Sequence, residues 1–181
     1  MKLTDGEKLI LLMLTEIYDK LSIDGETDPK FVRVAIFNDM LWGLRRKYSG
    51  IPFERGENPP AVSEVINILD MWRLIEQSYD ALSPSDKEHV EKETAPFGKE
   101  FLGFDGNNES EHMAIARFLV DDVGEFEHFK GREFDSHLPL SLDGFKRMYT
   151  LFEPMRRTLS SRDLSATQIV ELLRARRHPG T

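Results

Sequence analysis

Apolar positions along the chain recur at intervals of three and four, and nowhere alternate for long enough to predict a sheet. The pattern therefore predicts an all-α fold, a single multihelical domain of about six or seven helices. The first helix spans about Thr4 to Leu21. Thr4 is its cap, and Glu7 stands three residues on, the spacing of a capping box. Its apolar stripe reads as Leu9, Leu12, Met13, Ile17 and Tyr18, with Glu16 among them. The run Leu9–Leu14 is apolar nearly all round, which predicts burial on more than one side, in the core or at a subunit contact. Asp28-Pro29 opens a second helix that continues to Arg45, Arg46 and Lys47 in its last turn. Its face is Phe31, Val34, Ala35, Phe37, Met40, Leu41 and Leu44.

The stretch Ser49–Pro60 is broken by glycine and proline, and Asn58-Pro59 repeats the cap-then-proline start. A third helix runs from about Pro60 to Leu82 on Val62, Val65, Ile66, Leu69, Trp72, Ile75 and Tyr79. Ser83-Pro84 starts a short charged surface helix. Thr94–Asn107 is irregular, and its Phe97, Phe101 and Phe104 are expected to tuck into the core. Asn108 with Glu111 predicts the start of a helix over Glu109–Val123, with Phe118 facing a second contact. Gly124–Leu140 is rich in aromatics and histidine and has no regular period. Ser141 caps a helix to about Leu159, which Pro154 should kink or split. Ser165 with Gln168 opens the last helix, which frays through residues 175–181. The aromatic loops 97–104 and 126–140 are expected to pack on the helical core.

The 181 residues suffice for one domain with a real core. The absence of cysteine excludes disulfides, cysteine-held zinc and thiol catalysis, and is compatible with a cytoplasmic protein. The short apolar run near the N-terminus is flanked by acids and reads as mature helix rather than a leader. No stretch reaches the length of a membrane span. Net charge is −8, divided as −4 over residues 1–82, −8 over 83–140 and +4 over 141–181. An acidic body disfavours general nucleic-acid binding. The basic tail leaves Arg174, Arg176 and Arg177 as the candidate contacts for a DNA-binding regulator.

The densest set of chemistry-bearing side chains lies between Phe101 and Phe129. Glu109-x-x-His112 and Glu125-x-x-His128 place a carboxylate and an imidazole three apart, as in carboxylate-bridged metal bundles. Glu109, His112, Glu125 and His128 are thus the candidate metal ligands. Against them, Gly124 and the aromatic run make Glu125 a poor helix residue, and a histidine between Phe126 and Phe129 reads as a hydrogen-bonded core group. Asp121, Asp122, Glu125 and Glu127 form an acidic run without calcium-loop spacing. No nucleophile elbow, P-loop or dinucleotide fingerprint is present. The candidate functional cluster is Glu109, Arg117 and His128, with no cofactor required.

The turn Phe101-Leu102-Gly103-Phe104-Asp105, the later Arg117-Phe118 and His128-Phe129, the opening LTDGEKLILLMLTEIYDKL and the tail GFKRMYTLFEPMRRTLSSRDLSATQIVELLRA resemble the YfbU family of bacterial proteins. The resemblance covers nearly the whole chain and is loosest at 22–30, 50–60 and 83–97. It implies a multihelical homo-oligomer of the bacterial cytoplasm, and it implies no activity and no catalytic residues. His128 falls within the family pattern, whereas His112 and Glu125 do not. The sequence reading is thus a self-associating, partner-binding or regulatory helical protein without catalysis. The apolar surplus at Leu9–Leu14, Phe37, Trp42 and Trp72 is assigned to a dimer. The alternatives are a hydrolase or metal-dependent enzyme built on Glu109, His112 and His128, and the DNA-binding regulator.

Overall fold

Four side chains that can accept from orphan backbone N–H groups mark where helices begin. Thr4, Asp28, Ser83 and Ser165 each accept from a backbone N–H three residues on, and Thr4 and Ser165 complete capping boxes with Glu7 and Gln168. The computed structural model describes residues 2–54, 56–96, 98–136, 141–159 and 163–177. The fold is all-α, with eight α-helices and no strand among the described residues. None of these helices is long and apolar enough to cross a membrane. Replacing Ser165 with alanine removes one cap and its box, and is expected to cost about 1 kcal/mol in urea unfolding.

The chain divides into two compact units. The first comprises Met1–Pro59 and Phe118–Glu125. It holds α1 (Asp5–Leu21), α2 (Pro29–Phe37), α3 (Trp42–Lys47) and a π-helical turn, Phe118–Val123. The predicted second helix is therefore two. Asp39 adopts the left-handed conformation at φ 55°, which an aspartate tolerates, and the chain turns there before α3. Phe118 lies in this unit's core. It stacks on Phe31 at 5.4 Å and meets Trp42 edge-on at 5.3 Å. The helix predicted over 109–123 thus changes to π-helix at the residue that enters this aromatic group.

The orientation of α1 differs from the predicted stripe. Thr15 is its one buried residue, and Leu11, Leu12 and Tyr18 are half-buried beside it. Leu9, Ile10, Met13, Leu14, Ile17 and Leu21 are between 49% and 68% exposed. With apolar residues on both sides, periodicity alone could not choose the inward face. Trp42 and Trp72, read as surplus, are both core residues.

The second unit comprises Pro60–Arg117 and Phe126–Thr181. Its axis is α4 (Pro60–Ala81), against which α6 (Ser110–Arg117), α7 (Ser141–Arg157) and α8 (Ala166–Ala175) pack; α5 (Pro84–Thr94) packs on α8. Trp72, Phe101, Phe104, Phe129, Phe134 and Phe145 form a buried aromatic cluster in contact ring to ring. The two irregular segments therefore deliver phenylalanines inward, as expected; Phe97 and residues 137–140 lie outside the described residues. The segments are tied by one isolated parallel bridge. Phe104 N–H donates to Phe134 C=O and Ser136 N–H to Phe104 C=O, each at 2.8 Å. Gly103 makes this approach feasible: at φ 99° a Cβ would lie 2.1 Å from the Phe134 carbonyl oxygen.

Two further expectations concern helix ends. Pro154 neither splits nor ends α7, which continues to Arg157. Pro154 and Thr150 are exposed near the helix end, so the carbonyl deprived of its partner faces water. Asn108 does not cap α6; its side-chain amide donates to Asp105 at 2.6 Å.

Candidate functional site

Glu76 follows Ile75 on the apolar face of α4 and is only 6% exposed. A carboxylate there must be either neutral or fully paired. It is paired on both oxygens. Oε1 accepts from the Phe101 backbone N–H at 2.7 Å and from Arg132 Nη1 at 2.9 Å. Oε2 accepts from Arg132 Nη2 at 2.7 Å and from His128 Nε2 at 2.5 Å. Burial disfavours the charged form. The hydrogen bonds from Arg132, Phe101 and His128 outweigh it and leave the Glu76 pKa below the ordinary glutamate value. The same pairing raises the Arg132 pKa. Facing an ionised oxygen, His128 Nε2 carries the proton.

The elements that place these groups come from three parts of the second unit. Phe101 sits on the aromatic segment after α5. His128 lies in the 3-10 turn Glu127–Phe129, and Arg132 follows that turn by a short reversal at Gly131. The Phe129 ring is buried; His128 meets it edge-on at 4.9 Å and the Arg132 guanidinium lies 5.1 Å from its centre. Beside the triad is a pocket of about 110 Å³ lined by Glu76, Tyr79, Asp80, Lys99, Glu100, His128 and Arg132. Lys99 donates to Tyr79 Oη at 2.9 Å and to Glu91 at 2.7 Å, and Tyr79 donates to Glu91 at 2.6 Å. Burial and the neighbouring Glu91 push the Tyr79 phenol up, and its bonds to Glu91 and Tyr79 hold the Lys99 ammonium charged. The pocket is of a size for water or a small ion; of its walls, Glu76, His128 and Arg132 are bonded to one another and Lys99 to Tyr79.

The other sequence candidates go elsewhere. Glu109 is buried; it accepts from the Asp105 N–H at 2.9 Å and from the Leu142 N–H at 2.7 Å. It thereby closes the turn before α6 and caps the start of α7, where a negative charge suits the helix dipole. His112 Nε2 meets Glu64 at 2.9 Å, and Glu64 also takes Lys146 at 3.1 Å. Burial works against the ionised Glu64; its bonds to His112 and Lys146 prevail and lower its pKa. Glu125 belongs to the first unit, where Arg46 holds it through two parallel bonds of 2.8 and 2.5 Å. Arg117 is exposed at the end of α6; the arginine at His128 is Arg132.

These placements bear directly on the metal reading. His112 and His128 each bond a glutamate of α4, and Glu64 and Glu76 are 12 residues apart, ~18 Å along the helix. One ion does not reach both. Among the described residues no three histidine, aspartate or glutamate side chains converge to hold a metal. The tail arginines are also engaged. Arg174 bonds the carbonyl and carboxylate of Glu93, and Arg177 donates to the Ala95 carbonyl at 2.7 Å. Arg176 lies 5.3 Å from the Phe145 ring, where burial lowers its pKa. Residues 176 and 177 are therefore held against the fold, and 178–181 lie outside the described residues.

Glu64, Glu76, Lys99 and Arg132 were missed in the sequence. The available signals were slight: Glu76 interrupts the spacing from Trp72 to Tyr79, and Arg132 follows His128 by four.

The sequence profile of the YfbU domain matches residues 1–175. The UPF0304 protein MJECS11 of Methanocaldococcus jannaschii is 32% identical over 179 residues, which span 93% of this chain and 97% of that protein. This relative is archaeal, so the similarity is not confined to bacteria. No solved structure matches the chain.

Proposed function

We propose that this chain, which belongs to the YfbU family, acts by association rather than by catalysis. The observation that carries the proposal is the outer face of α1. Six large apolar side chains on one helix are between 49% and 68% exposed to water, a patch of the kind that marks an interaction site. The paired state of the buried carboxylates and histidines supports the same reading, since each already has a structural partner. The partner proposed is a second copy, giving a cytoplasmic homodimer with a binding or regulatory role.

Sedimentation equilibrium tests it. The chain is expected to show a concentration-dependent dimer. Leu14→Asp, on the exposed face, is expected to weaken it at least ~30-fold while leaving the far-ultraviolet circular dichroism unchanged. A monomer at every concentration overturns the proposal.

A further inference from the structure

We infer that the second copy lies antiparallel on α1 across a two-fold axis that passes between Met13 and Leu14. The inference rests on the self-association reading and adds its geometry. The central strip of the exposed face of α1 comprises Gly6, Ile10, Met13, Leu14, Ile17 and Leu21, spaced by 4, 3, 1, 3 and 4, with Leu9 at its edge. That series is the same read from either end. An antiparallel copy centred at the midpoint therefore sets Ile10 against Ile17, Gly6 against Leu21, and the Met13–Leu14 pair against itself. A two-fold contact pairs residues reciprocally, so the residue that meets Ile10 in one direction must be met by Ile10 in the other. Parallel packing sets Gly6 against Gly6 and leaves the Leu21 end crowded.

Area and charge favour the same occupant. The five apolar side chains of the strip offer roughly 100 Å² each, so two copies together bury about 1,000 Å², the lower bound for a specific interface. Each copy carries a net charge of −8, yet the strip itself holds no charged residue. Two such chains can therefore meet there without setting like charges face to face. Opposed helix directions also bring unlike ends of the two helix dipoles together. Gly6 finds its use in this arrangement. A Cβ there meets nothing within 4 Å in its own chain, so packing within the chain does not require glycine at this position.

The chain's lack of cysteine makes the test clean. Met13→Cys is expected to cross-link to itself on mild oxidation. Ile10→Cys and Ile17→Cys are expected to cross-link when mixed and not alone, since like positions are ~10 Å out of register along the axis. Gly6→Leu is expected to weaken the dimer at least tenfold without changing the circular dichroism. Self-cross-linking at Ile10→Cys and Ile17→Cys overturns the orientation. A dimer in sedimentation that cross-links at none of these positions overturns the inference and leaves self-association standing. A wild-type monomer overturns both.

Discussion

Glu76→Ala is expected to lower the stability of the second unit by about 3–4 kcal/mol, measured by urea unfolding. The substitution leaves three donors without their acceptor: the Arg132 guanidinium, His128 Nε2 and the Phe101 N–H. Arg132 and His128 keep some contact with water, which moderates the loss. Phe101 is buried, only 3% exposed. Glu76→Gln keeps one acceptor oxygen and is expected to cost less, about 1–2 kcal/mol. The pH dependence separates charge from packing. The folded pKa of Glu76 is depressed. Its contribution is thus complete above the unfolded value, about 4.3, and is lost as pH falls through the folded value. The stability gap between wild type and Glu76→Gln should be constant above about pH 5 and narrow steadily below about pH 4. A gap that holds constant into acid would show that Glu76 contributes shape alone.

Helix starts were legible because they are local. Thr4 with Glu7, Asp28 before Pro29, and Ser165 with Gln168 each satisfy backbone groups within a few residues. Where the outcome depended on distant groups, the same chain was opaque. Glu76 carries no local signal of its role, because the arginine that pairs it, Arg132, lies 56 positions away. Glu109 and His112 lie three apart, as the metal reading needed, and bond to different elements. Glu125 and His128 are not on one helix: Phe126 between them is left-handed at φ 53°. The aromatic loops lie between these cases. Three phenylalanines in a glycine-rich stretch imply burial, and Phe101 and Phe104 are indeed buried. What could not be read was that Phe134 would meet them, through a backbone approach that only Gly103 allows.

Phe118→Ala is expected to destabilise the first unit by about 4 kcal/mol. Its ring is fully enclosed, stacked on Phe31 and set against Trp42. No residue of Met1–Pro59 replaces it, so the fragment 1–59 alone should not give a cooperative unfolding transition. Gly43 sharpens the prediction. A Cβ at Gly43 would lie 2.3 Å from a Phe118 ring carbon. Gly43→Ala is therefore expected to cost about 2 kcal/mol by overpacking, although alanine ordinarily favours a helix by about 1 kcal/mol. In the Phe118→Ala background the clash is gone, and the same Gly43→Ala change should become stabilising. A double-mutant cycle in urea measures this reversal of sign. Two additive, destabilising changes would mean that Phe118 is not seated against α3.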